Sequence, residues 1–393
     1  MSVWPDQRVA LFARTNFRNQ RKVFGIRQVD RRSHMYLIGK TGTGKSSLIE
    51  TLIRSDIGAS QGVALLDPHG DLVEKIASTI PVRRHADLIY FDAANRDHPL
   101  GYNPLAEIPP AQRPLTASFL LDAFKKIWWE FWGPRTEHIL RNALLALLDQ
   151  PEATLADILR LFNDRGYRKA AMDRVHNAAV RDFWLREYDG YAARFRTEAI
   201  APIQNKVGAF LSHPILRVIL TQSQSAFHWR SVMDEGRIVL VNLAKGRLGE
   251  DAASLLGSLL LSGIQAAALS RADVPEDDRR DFFVFVDEFP TFATLSLAGM
   301  LTELRKFHVG LTLSHQHLTQ LDPKIRDAIL GNVGTLIVFR VGATDAEILE
   351  QEFAPEFAST DLVNLPNYHL YLKLMINGRI SRPFSGELQP PVP

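Results

Sequence analysis

The chain is expected to be an α/β protein built on a parallel-rich sheet and carrying an inserted all-α domain. Three observations support this. Short, nearly continuous apolar runs recur with helix-length segments between them, as in strands buried on both faces. One such run, 35–38, enters a glycine-rich turn, and a helical segment follows from Ser47 to Arg54. Between about 111 and 223 the apolar pattern has helical periodicity and no convincing strand.

In chain order, the expected strands are 35–38, 62–66, 88–91, 237–243, 282–286, 310–313 and 334–339. Within the helical region, Leu140, Leu144, Leu147 and Leu148 are spaced to share one helix face, and 154–162 is a second helical segment. Residues 252–270 form the longest uncharged stretch. Four serines, Gln265 and two glycines dilute it, so it reads as a buried helix against a parallel sheet rather than a membrane span. The expected organisation is a basic N-terminal segment (1–33), a discontinuous motor domain (34–110 and 224–385), a helical insert (111–223) and a Pro-rich tail (386–393). A chain of 393 residues can hold two domains or one enlarged one.

Composition excludes some chemistry. There is no cysteine, hence no disulfide, thiolate metal site or cysteine nucleophile, which fits a reducing, cytoplasmic setting. No signal peptide opens the chain. The 46 basic and 44 acidic residues nearly cancel, so net charge does not announce a nucleic acid. Locally, residues 1–33 hold eight basic residues (Arg8, Arg14, Arg18, Arg21, Lys22, Arg27, Arg31 and Arg32) against Asp6 and Asp30. Such a cluster can bind a polyanion or form a solvated or subunit-facing surface. Trp128, Trp129 and Trp132 beside Lys125 and Lys126 could stack single-stranded bases, but at this spacing they read first as packing residues.

Gly39-Lys40-Thr41-Gly42-Thr43-Gly44-Lys45-Ser46 matches G-x-x-x-x-G-K-[ST], in the strand–loop–helix context that motif requires. Glycines let backbone N–H groups converge on phosphate oxygens, and a helix N-terminus adds positive potential. The candidate nucleotide-binding set is Gly39, Thr41, Gly42, Thr43, Gly44, Lys45, Ser46 and Ser47. Lys45 would reach the β- and γ-phosphates of ATP, and the Ser46 hydroxyl would ligate Mg2+. Ligands of α/β sheets sit at the carboxyl ends of strands. There, after 282–286, come Asp287, a candidate Mg2+ holder, and Glu288, a candidate base for the attacking water. After 310–313, Gln316 is placed to sense the γ-phosphate or the water, with His315 and His317 flanking it. Arg305, and second Arg340, are candidates for an arginine that enters a neighbouring subunit's site; a structural ion pair is the alternative for either. Asp67-Pro68-His69-Gly70 fits D-x-x-G, but no N-K-x-D guanine reader exists, so a GTPase is rejected. A role for Asp67 near Mg2+ or at a subunit contact stays open beside a simple turn.

Segments 34–46, 65–71 (Leu-Leu-Asp-Pro-His-Gly-Asp), 101–105, 286–289, 315–316 and 338–342 resemble, in order, blocks of the HerA/FtsK superfamily, and most closely its TraG/TraD-like branch, the coupling ATPases of conjugation and type IV secretion. The resemblance spans about 24–385. It implies a RecA-like P-loop motor with an all-α domain, assembled as a hexameric ring, that uses ATP to pump DNA through a channel. It also implies Gln316 as sensor and Arg305 as finger. Coupling proteins usually carry N-terminal membrane helices and HerA a β-barrel, and neither is seen here. The expectation is a cytoplasmic motor with no transmembrane segment of its own, and three readings stay open: a bare motor, a chain lacking its anchor, and a motor recruited to the inner face of the membrane by an anchored partner. The alternatives are a DNA-processing or defence helicase working with a nuclease, and a nucleotide-switched adaptor that recruits protein cargo.

Overall fold

The computed structural model describes residues 8–17 and 20–389. Asp6, Arg18 and the prolines of the tail lie outside the described residues. Two compact units are present, one formed by residues up to Phe91 with Arg230–Asn242 and the chain from Arg271, the other by Asp92–Trp229 and Leu243–Ser270.

The first unit is built on an eleven-stranded sheet. Its strands are β1 (Val9–Thr15), β2 (Val23–Arg27), β3 (Met35–Ile38), β4 (Gly62–Asp67), β5 (Leu88–Asp92), β6 (Ile238–Asn242), β7 (Phe282–Val286), β8 (Val309–His315), β9 (Thr335–Val338) and β10 (His369–Lys373). A short ribbon of β11 (Met375–Ile376) and β12 (Arg379–Ile380) precedes the eleventh, β13 (Phe384–Leu388). The order across the sheet is β2-β1-β13-β10-β9-β3-β8-β7-β4-β6-β5. The run β9-β3-β8-β7-β4-β6 is parallel. β10, β13, β1 and β2 add to it antiparallel.

All seven expected strands are present; six are apolar because they are buried throughout, and the seventh, β5, is a half-buried edge strand. Alternate residues point to opposite faces. Met35 and Leu37, Val63 and Leu65, and Phe283 and Phe285 therefore share one core with Leu48 and Leu52 of the helix Lys45–Gly58. The basic segment was not expected to form strands, yet it supplies β1 and β2. Much of its charge is used internally. Arg14 pairs with Glu387, Arg32 grips Asp281 through two contacts at 2.7 and 3.1 Å, and Arg31 is buried against Asp56 at 2.5 Å with its guanidinium 3.9 Å from the Phe283 ring centre. That distribution favours structural roles over a polyanion surface for these three.

The second unit is helical. Among the described residues, 93–229 and 243–270 hold no strand. Helix Pro134–Leu148 buries Leu140, Leu144, Leu147 and Leu148, as their spacing predicts. They share the unit's core with Trp184, whose indole N–H donates to the Asn142 carbonyl at 3.2 Å. Helix Glu250–Ser270 is largely buried and packs on helix Arg113–Ile127, where the expected contact was with the sheet. The tryptophans divide. Trp128 is buried and stacks on Phe124 (4.6 Å) and Phe210 (5.7 Å), as the packing reading expects, whereas Trp129 is 71% exposed.

The Arg31–Asp56 pair generates a stability test. Removing one member of a buried pair leaves an uncompensated charge, at a cost of about 3–5 kcal/mol. Asp56→Ala is expected to lose about that much in urea unfolding. The double change Arg31→Met, Asp56→Leu is expected to recover most of it, since both charges then leave together.

Candidate functional site

The glycine-rich loop begins one residue beyond β3. Gly39 has no room for a side chain, since a Cβ there would lie 2.6 Å from the Cβ of Phe339. Gly42 (φ 75°) and Gly44 (φ 125°) take backbone conformations that L side chains rarely adopt, and nothing lies within 4 Å of a Cβ position at Gly42. The helix opens at Lys45, so its free N–H groups face the loop's concavity. The Lys45 ammonium is buried and donates to the carbonyls of Gly39 (2.5 Å) and Lys40 (3.2 Å). Burial lowers its pKa, while Glu288 and Asp287 pull it back up.

Asp287 and Glu288 end β7 on the same side of the sheet. Asp287 is buried and accepts from the Ser314 hydroxyl at 2.7 Å. Burial raises its pKa, the Ser314 bond opposes that, and the charges of Asp67 and Glu288 add to the rise. Glu288 adopts a left-handed backbone (φ 46°). Such conformations persist where the surroundings over-determine them and cluster at working sites. Its carboxylate accepts from the Gln316 amide at 2.7 Å, and the Gln316 carbonyl accepts from the Thr41 hydroxyl at 2.8 Å. One amide thus joins the loop to the acidic strand end.

A cavity of about 400 Å³ is lined by Thr41, Gly42, Gly44, Lys45, Ser46 and Ser47 together with Asp287, Glu288 and Gln316. Asp67 and Tyr368 also line it. The structure therefore brings together nearly every predicted nucleotide-site residue. Gly39 shapes the loop from beneath, and Thr43 bonds the Lys40 carbonyl at 2.7 Å. Donors along the loop, one buried cation, one hydroxyl at the helix start and one partly satisfied carboxylate suit a nucleoside triphosphate with Mg2+. Ser46 and Asp287 would hold the ion, which would supply charge neutralisation at the phosphates. Asp67 is tied to its own turn, since its oxygens accept from the backbone N–H groups of His69 (2.8 Å), Leu72 (3.0 Å) and Val73 (3.3 Å). That arrangement answers for the Asp-Pro-His-Gly turn.

The arginines lie elsewhere. Arg305 is exposed just before β8, at the opposite end of that strand from Gln316. Arg340 is near the loop, where its carbonyl accepts from Lys40 N–H, but its guanidinium goes to Asn367 Oδ1 (2.8 Å) and the Leu365 carbonyl (3.3 Å). Neither lines the cavity. His315 is fully buried, its pKa lowered to about 3 chiefly by burial, with the Tyr36 hydroxyl 3.1 Å away and the Phe289 ring packed edge-on at 4.9 Å. It braces the turn after Glu288. His317 lies 3.4 Å from Asp345. Sequence reasoning missed Ser314 and Tyr368. For Ser314 a signal existed, since positions 314 and 316 are two apart on an extended segment and share a side of it.

A P-loop lysine, an Asp-Glu strand end and a bridging glutamine at one edge of a parallel sheet, with a separate helical unit, define a RecA-like P-loop NTPase with an all-α domain. Residues 24–354 match the family model described as the type IV secretion-system coupling protein DNA-binding domain. The chain belongs to that coupling-protein family. Among solved structures it is similar to the plasmid coupling protein TrwB in complex with ADP and Mg2+ (TM-score 0.65, 18% identity, 92% of this chain and 86% of that one). It is similar also to TrwB with the ATP analogue ADPNP (TM-score 0.63, 16% identity, 92% and 86%). VirB4 of Thermoanaerobacter pseudethanolicus aligns over 98% of this chain and 97% of that one, with TM-score 0.66 and 13% identity. No curated protein matches significantly by sequence.

Asp287 would hold Mg2+ only in its ionised form. Its pKa is raised, so Mg2+-dependent activity is expected to fall with decreasing pH from a point above the ordinary carboxylate range. Ser314→Ala removes the bond that opposes the rise. The acid limb should move to higher pH, and the Mg2+ needed for half-maximal activity should increase about tenfold or more. A pH–rate series at several Mg2+ concentrations measures both.

Proposed function

We propose that the protein is an ATP-hydrolysing DNA translocase that works as a ring, in DNA transfer of the conjugative, type IV secretion kind. The observation that carries this reading is the Thr41–Gln316–Glu288 relay beside Lys45 and Asp287, which couples the phosphate loop to a group able to orient and deprotonate water. In this reading the loop amides and Lys45 hold the β- and γ-phosphates. Ser46 and Asp287 hold Mg2+. Glu288 takes the proton from the attacking water, and Gln316 reports the change at the γ-phosphate to β8.

Arg305 acts in trans. It is exposed and lies at the opposite end of β8 from its own subunit's cavity, so it is available to a neighbour. Arg340, held by Asn367 and Leu365, is the second choice. A homo-hexamer and DNA as cargo are supported by membership in the coupling-protein family, whose model is described by DNA binding. In the helical unit, a cavity lined by Lys125, Trp129, Trp132, His138 and Arg141 offers cations and exposed aromatic surface for the strand. The one helix among the described residues long and apolar enough to cross a membrane, Glu250–Asp273, has 78% of its apolar window buried within the protein. In this reading an anchored partner recruits the protein to the inner face of the membrane.

ATPase rate measured with and without DNA across a salt series tests this. The expected result is stimulation by DNA that declines steeply with salt, as phosphate contacts require. Lys45→Ala should abolish hydrolysis, and Glu288→Gln should bind ATP without turning it over. Arg305→Ala should be inactive alone yet recover activity when mixed with Lys45→Ala subunits. A basal rate indifferent to DNA at low salt would instead favour the nucleotide-switched adaptor.

A further inference from the structure

We propose that Tyr368 is the platform on which the nucleobase stacks. The inference rests on the nucleotide reading of the phosphate loop and adds to it the subsite for the other end of the molecule.

Tyr368 stands out on three counts. It is a bulky residue in a left-handed backbone conformation (φ 65°), an outlier for a side chain of its size. It is 53% exposed although it sits against the phosphate loop. And both its backbone polar groups are committed, the N–H to the Thr43 carbonyl (2.8 Å) and the carbonyl to Leu388 N–H (2.8 Å). The neighbouring Asn367 is tied to Arg340. Conformational strain held in place from both sides, with an aromatic ring that packs on the loop along one edge and stays half exposed, marks a residue with a free face for contact.

Strand order gives the direction. β8 and β7 lie on one side of β3, and β9, β10 and β13 on the other. Gln316, Asp287 and Glu288 end β8 and β7, so the terminal phosphate belongs on that side. The nucleoside must leave the loop on the opposite side, where Tyr368 precedes β10. There Tyr368, Phe339 and Leu388 approach the Cβ position of Gly44 at 3.2, 3.2 and 3.0 Å, forming an apolar collar at the helix entrance. Tyr368 also lines the same cavity as Lys45 and Ser47. An aromatic face accepts any base, with the larger ring system of a purine favoured over a pyrimidine.

The test is calorimetric titration of the intact protein with Mg2+·ATP, Mg2+·CTP and Mg2+·tripolyphosphate. Tyr368→Asn removes the ring while tolerating the left-handed backbone. It is expected to weaken ATP binding about tenfold or more. Tripolyphosphate affinity should stay unchanged, and the preference for ATP over CTP should disappear. Tyr368→Phe should bind ATP as the parent does. An unchanged ATP affinity in Tyr368→Asn would overturn the proposal, and so would equal losses for ATP and tripolyphosphate, which would make Tyr368 a support of the loop. If the parent binds neither ligand, the nucleotide reading itself fails and this one with it.

Discussion

The parallel pairing of β3 with β8, and of β8 with β7, is the constraint on which the site depends. Ile38 lies opposite His315, and Val286 opposite Leu313. The next residues along these strands are Gly39, Gln316 and Asp287, so loop, sensor and acid emerge at one edge. The same register places Asp287 beside Ser314 and accounts for their hydrogen bond. A slip of one residue would turn each of these side chains to the opposite face. The geometry of the chemistry is thus a product of backbone hydrogen bonding and of the apolar residues that hold the strands in register.

Electrostatics follow from that placement. Three carboxylates, Asp67, Asp287 and Glu288, lie around one buried ammonium, an arrangement that would be costly if the charges lacked partners. Each has a distinct one. Asp67 accepts from three backbone N–H groups, Asp287 from the Ser314 hydroxyl and the Glu288 N–H, and Glu288 from the Gln316 amide. The three carboxylates thus differ in what they are bonded to: one to its own turn, one to a neighbouring strand, and one to the amide that also reaches the phosphate loop.

Much of this was legible in the sequence, and the reasons are physical. Central parallel strands are apolar on both faces and announce themselves as runs such as Phe282–Val286. The phosphate loop is a fixed spacing of glycines and a lysine, because a chain must bend sharply and bring amides together. The antiparallel strands were not legible. β10 alternates buried and half-exposed residues, and β13 contains Ser385 and Gly386, so neither forms an apolar run. Ser314 carried only an indirect signal, its two-residue spacing from Gln316 along an extended segment. Tyr368 was hidden because its significance lies in a backbone angle and in neighbours distant along the chain.

One feature of the sheet bears on how the molecule is made. β13, the last strand in chain order, lies between β10 and β1, with Ala13 opposite Leu388. The hairpin of β1 and β2 therefore leaves the ribosome long before β13 yet cannot join the sheet until β13 has been translated. Until then its apolar Phe12 has no completed core to enter, and the hairpin exposes an open strand edge of the kind chaperones shield.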